Sequence, residues 1–140
     1  MRARVVWLLV ACIGASIAQA QCLNYDPDVV TLQGVLYLKL FYGPPNFGEN
    51  PETDAKDEQY LLKLDAPICV NPDGQVKSFN NEAESGLTDV QLVVNDPKFW
   101  PLLKRGLDHR IKATGTLYHA HTAHHRTKVL LWLKDVSDAV

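Results

Sequence analysis

Five stretches of alternating apolar and polar residues, with one short helical signal between the third and fourth, predict an all-β chain closed into a small barrel. A glycine centred in the first and fourth of these stretches points the same way, because a strand that serves two sides of a barrel must bend sharply.

The first stretch sets Val30, Leu32, Gly34, Leu36, Leu38 and Leu40 on one face, with Thr31, Gln33, Val35, Tyr37 and Lys39 on the other. This is a long, half-buried strand bent at Gly34. Periodicity is then lost from Phe41 to Glu58. Gly43-Pro44-Pro45-Asn46 is turn chemistry, and Glu49, Glu52, Asp54, Asp57 and Glu58 make the loop acidic. Tyr60, Leu62 and Leu64 begin the second strand, Pro67 limits its pairing, and Ile68-Cys69-Val70 closes it. Asn71-Pro72-Asp73-Gly74 turns the chain into a polar segment reaching Leu87, and Val90, Leu92 and Val94 form the third strand. Asp96 then caps a short helix with Pro97 at its first position and Gly106 at its end, and Phe99, Trp100, Leu102 and Leu103 plug the barrel. Ile111, Ala113, Gly115 and Leu117 make the fourth strand, and Val129, Leu131 and Leu133 the fifth. Residues 30–36 and 111–117 share their apolar and glycine positions, so the two strands have the same bending task.

Five strands with a helix between the third and fourth is the order of an OB-fold, a five-stranded Greek-key barrel. In that fold the β1–β2 and β4–β5 loops flank the ligand groove. Here they are the acidic loop and the stretch Tyr118-His119-Ala120-His121-Thr122-Ala123-His124-His125-Arg126-Thr127, which holds four of the chain's five histidines.

Residues 1–20 read as a cleaved signal peptide. Arg2 and Arg4 precede an apolar run from Val5 to Ala18, and Ala18-Gln19-Ala20 supplies small residues at the cleavage positions. That run is short for a membrane span. Residues 21–140 then form one barrel domain, secreted or periplasmic, with no membrane span of its own. Loss of Arg2 and Arg4 leaves twelve basic against sixteen acidic side chains, a formal charge of −4, which argues against nucleic acid as a partner. The charge is uneven: residues 98–140 carry eight basic and three acidic groups together with every histidine. Cys22 and Cys69 remain, and an even count in an oxidising compartment reads as one disulfide; the other reading is a pair of thiolate metal ligands. An antiparallel hairpin of the first two strands would bring the two cysteines together.

Cys22-Leu-Asn-Tyr-Asp-Pro-Asp-Val-Val-Thr-Leu32, Gly43-Pro-Pro-Asn46, Pro67-Ile-Cys-Val70 and the stretch from Gly115 to Thr127 together resemble a family of small secreted bacterial proteins catalogued as a domain of unknown function. The chain departs from that family's pattern at Ala123 and Arg126, where glycine and a third consecutive histidine are usual. The resemblance implies secretion, the disulfide and a role for the histidine loop, and it supplies no mechanism.

Two functional readings follow from the histidine stretch. The first is a binding module whose ligand is anionic, a glycan or a protein. It would be held by His119, His121, His124, His125 and Arg126, with Tyr118 and Trp132 as stacking surfaces and the acidic loop as the opposing jaw. The second is a metal site. His119 and His121 share a strand face, His124 or His125 folds back to supply a third nitrogen, and an acidic side chain of the facing loop can complete the shell, a donor set that suits a divalent ion such as zinc, copper or nickel. Hydrolysis through a metal-bound water is the weakest reading. The chain has no H-E-x-x-H motif and no G-x-S-x-G elbow, so no residue is assigned as catalytic. Against both stands a structural role, in which the histidines bond their own backbone and the two aromatics pack across strands.

Overall fold

The computed structural model describes residues 22–72 and 81–139. The expected signal segment and the Asp73-Gly74 half of the expected turn lie outside them. Among the described residues five strands, β1 (Val29–Tyr42), β2 (Lys56–Val70), β3 (Glu84–Val93), β4 (Arg110–His119) and β5 (Val129–Asp138), and one helix, α1 (Phe99–Gly106), follow in the expected order. The strands close into a ring in the order β1-β2-β3-β5-β4. All pairings are antiparallel except β3 with β5, where the chain returns parallel after the helix and β4.

The two glycines sit where the ring demands them. β1 pairs with β4 from Val29 to Val35 and with β2 from Gly34 to Tyr42, so it changes partners at Gly34 and Val35. A Cβ at Gly34 would lie 2.0 Å from the carbonyl oxygen of Lys63, and one at Gly115 would lie 2.0 Å from that of Trp132. Only glycine lets the backbones approach so closely. Beyond Val35 β1 has left β4, which explains why Leu38 and Leu40 are 39% exposed although they continue the inward face.

Leu32, Leu36, Leu62, Val90, Leu92, Ile111, Leu117 and Leu131 fill the barrel. Phe99 and Leu103 of α1 close its end, but Trp100 of the expected plug is 41% exposed and packs on the Tyr60 ring at 5.9 Å. The helix starts later than expected. Asp96 accepts from the Lys98 N–H through its carboxylate and from the Phe99 N–H through its carbonyl, so it caps the preceding turn. Gly106 is the last helical residue, and Leu107 takes the cap. β2 continues through Pro67, with its register to β3 shifting between Lys63 and Ile68. β3 starts at Glu84, inside the segment read as polar loop.

Cys22 and Cys69 are disulfide-bonded with Cα atoms 4.6 Å apart. Backbone bonds from Leu23 N–H to the Cys69 carbonyl and from Asn71 N–H to the Leu23 carbonyl hold the same junction. Among the described residues no helix is long and apolar enough to cross a membrane.

Candidate functional site

The outer surface of the barrel explains where the histidine loop goes. Tyr37, Leu61, Gln91, Leu130 and Tyr118 are paired in succession across β1, β2, β3, β5 and β4. They alternate with barrel-filling neighbours and so face outward. Leu61, Gln91 and Leu130 are nevertheless buried, and none of the three belongs to the barrel core. Gln91 shows what covers them. Its Oε1 accepts from the Arg126 N–H (2.6 Å), and its Nε2 donates to the His124 carbonyl (3.2 Å) and to Gln59 Oε1 (3.0 Å). Its own N–H donates to Thr127 Oγ1 (3.0 Å). The histidine loop is thus laid over the outer face of β2 and β3.

Arg126 completes the attachment. Its guanidinium donates to Asp57 Oδ2 (2.8 Å) and lies 4.9 Å from the centroid of Phe41. Burial pushes the Asp57 carboxyl up, but the bonds from Arg126 and Gln59 outweigh this and hold it below the usual range. Asp57, expected in the acidic loop, is instead the second residue of β2, so this ion pair ties the histidine loop to the start of that strand. Arg126 acts as a tie there. Within the acidic loop, buried Asp54 accepts from the backbone N–H groups of Asn46, Gly48 and Asn50. Burial raises the Asp54 carboxyl, and these bonds bring it below its ordinary value.

The open space lies on the other side of the histidine loop, a cleft of about 650 Å³ over the outer face of β4 and β5. Its floor is Thr116 and Tyr118 of β4 with Trp132 and Lys134 of β5. His121 and His125 of the histidine loop also line it, as do Asp26, Asn81 and His119. Trp132 is 47% exposed, and its ring meets Tyr118 edge-on at 6.2 Å. Thus Tyr118, His119, His121, His125 and Trp132 share one cavity, whereas His124 lines a smaller one of about 260 Å³ beside Tyr60 and Trp100.

The histidines divide by task. His125 Nδ1 accepts from the backbone N–H of His121 (2.9 Å) and of Thr122 (3.3 Å), so the ring is neutral with its proton on Nε2. Burial first, then the neighbouring His121 and His124, hold its pKa below the ordinary 6.5. The His121 ring stands edge-on to His125 at 4.6 Å, and its Nδ1 donates to the His119 carbonyl. His119 points away from the loop to the start of β3, where its Nε2 is 3.0 Å from Glu84 Oε1. Glu84 also accepts from Lys128 Nζ (3.1 Å). The His119, His121 and His124 triad expected from spacing is not assembled. Among the described residues the group of candidate ligands that does converge is Glu82, Glu84 and His119, with donor atoms within 4.8 Å of one another. A two-residue spacing fixes a shared face only while the strand lasts, and β4 ends at His119.

Sequence reasoning missed Gln91, Glu84, Asp26, Asn81 and Lys134. Lys134 alone had a signal, since it lies two residues from Trp132 on the same strand face.

Residues 89–137 match the model of a family described as a domain of unknown function (DUF4431), in agreement with the resemblance read from the sequence. The match spans the second half of β3, the helix, β4, the histidine loop and nearly all of β5. No curated protein shows a significant match to the chain.

Proposed function

We propose that the chain is a secreted binding module, and that its ligand lies in the β4–β5 cleft as a glycan carrying an acidic substituent. The observation that supports this is the half-exposed Trp132 beside Tyr118, at the floor of a cleft that also holds Lys134, His119, His121 and His125. An indole at the floor of a concavity offers a sugar ring an apolar face, and the neighbouring polar groups would take its hydroxyls. Lys134 and the histidines favour a carboxylate or sulfate on that sugar, while Asp26 and Asn81 supply the opposite chemistry in the same cleft. The disulfide and the signal-like N-terminus support a secreted or periplasmic setting.

Retention on immobilised acidic and neutral polysaccharides tests the reading, with indole fluorescence as a second readout. Wild type should be retained by acidic matrices at low salt. Trp132→Ala should lose at least tenfold in affinity, and Lys134→Ala should lose the preference for acidic over neutral sugars. Retention unchanged by both substitutions would remove the cleft from the function.

A further inference from the structure

His119 is held so that both of its ring nitrogens face hydrogen-bond acceptors. Nδ1 is 3.1 Å from the carbonyl oxygen of Ala120, which can only accept, so this contact is a hydrogen bond when the proton is on Nδ1. Nε2 then faces Glu84 Oε1 at 3.0 Å. Glu84 is a carboxylate, since its other oxygen receives Lys128 Nζ at 3.1 Å. A neutral ring has one proton for two acceptors, so with Nδ1–H given to Ala120 a positive species between Nε2 and Glu84 satisfies both nitrogens. A second proton is one such species and a metal ion is the other.

The surroundings favour a site made for the latter. An Nδ1–H donated to a backbone carbonyl, with Nε2 left to the ion, is the usual outer-shell arrangement of a metal-ligating histidine. Glu82 brings a second carboxylate within 4.8 Å of the other two donor atoms. Its backbone is fixed by the Tyr25 hydroxyl, which donates to the Glu82 carbonyl at 2.7 Å, and the Tyr25 ring meets His119 edge-on at 6.5 Å. Asn81 Oδ1 accepts from the His119 N–H, joining the two segments that carry the donors. Tetrahedral coordination at zinc bond lengths of about 2.0–2.1 Å puts donor atoms roughly 3.3 Å apart. The His119–Glu84 distance is already near this, and exposed Glu82 needs only a side-chain rotation. Lys128, on a side chain 70% exposed, is the cation an arriving ion would displace.

We propose that Glu82, Glu84 and His119 form a three-ligand site for a divalent transition metal, zinc above all, with its fourth position open toward the β4–β5 cleft. One imidazole and two carboxylates suit zinc, whereas magnesium prefers an all-oxygen octahedron. The site does not depend on the glycan reading: Trp132→Ala should weaken sugar retention at least tenfold and leave metal binding intact.

Calorimetric titration of the purified chain with zinc tests it. One zinc per chain is expected, with no heat from magnesium under the same conditions. His119→Gln and Glu84→Gln should each weaken zinc at least tenfold. Glu82→Gln, at an exposed position that leaves the fold undisturbed, should do so too. The triple variant His121→Ala/His124→Ala/His125→Ala should bind within twofold of wild type. Absence of zinc heat in the wild type, full binding by Glu82→Gln, or loss of binding in the triple variant would each overturn the assignment.

Discussion

Gln91 stands at the middle of the outer row with its side-chain amide and its own N–H engaged, two of these bonds going to the backbone of the histidine loop. Replacing it with leucine leaves the Arg126 N–H and the His124 carbonyl without partners in a site shielded from water. Such a loss costs about 1–3 kcal/mol. Gln91→Leu should therefore shift the urea unfolding midpoint down, and an unchanged midpoint would mean that water replaces the clamp. In the sequence Gln91 is an ordinary polar residue on the outward face of a strand. Its importance comes from a carbonyl 33 residues further on, which no local pattern announces. Trp132 differs: its place on the outward face was legible from the alternation of β5, and its neighbour Tyr118 from β4.

Among the elements, the histidine loop carries its own pH dependence. His125 works as an acceptor for the His121 and Thr122 N–H groups only while Nδ1 is unprotonated. Its pKa in the folded chain lies below 6.5, so the unfolded chain takes up a proton at higher pH than the folded one. The contribution of the loop to stability is thus complete above about 6.5 and is lost as pH falls through the window below it. Hydrogen exchange at the His121 and Thr122 amides, corrected for intrinsic rates, should show protection at pH 7.5 that declines toward pH 5. Equal protection at both ends would show that the turn does not rest on His125. The strands were legible in proportion to their regularity. β1 and β4 announced themselves by period two and a central glycine, and both glycines sit where a Cβ would strike the neighbouring backbone. The start of β3 did not, because Glu84, Ser85 and Gly86 carry no apolar alternation, and the pairing of Glu84 with Val70 of β2 crosses a register shift. The exposure of Leu38 and Leu40 was equally hidden, since it depends on where β1 parts from β4.

At the scale of the whole molecule the Cys22–Cys69 disulfide ties the segment before β1 to the end of β2 and closes a loop with a sequence separation of 47. Chain entropy makes such a closure worth about 4 kcal/mol. Cys22→Ser/Cys69→Ser should unfold at lower denaturant by close to that amount, with an m-value reflecting a less compact unfolded chain. A loss below about 1 kcal/mol would mean that the backbone bonds of Leu23 and Asn71 already hold the junction by themselves. Composition and periodicity were enough to set the all-β class, the strand order of the barrel and the partners of the disulfide, because each follows from local alternation and chain connectivity. The tertiary structure decided which way the histidine loop faces. The Asp57–Arg126 pair and the Gln91 clamp draw the histidine loop down over β2 and β3, filling the groove the topology would leave open and exposing the cleft on β4 and β5 instead. His119 is turned to Glu84 rather than to the other histidines for the same reason. Side-chain partners far apart in the chain are chosen by three-dimensional proximity, and spacing within a single loop does not encode that.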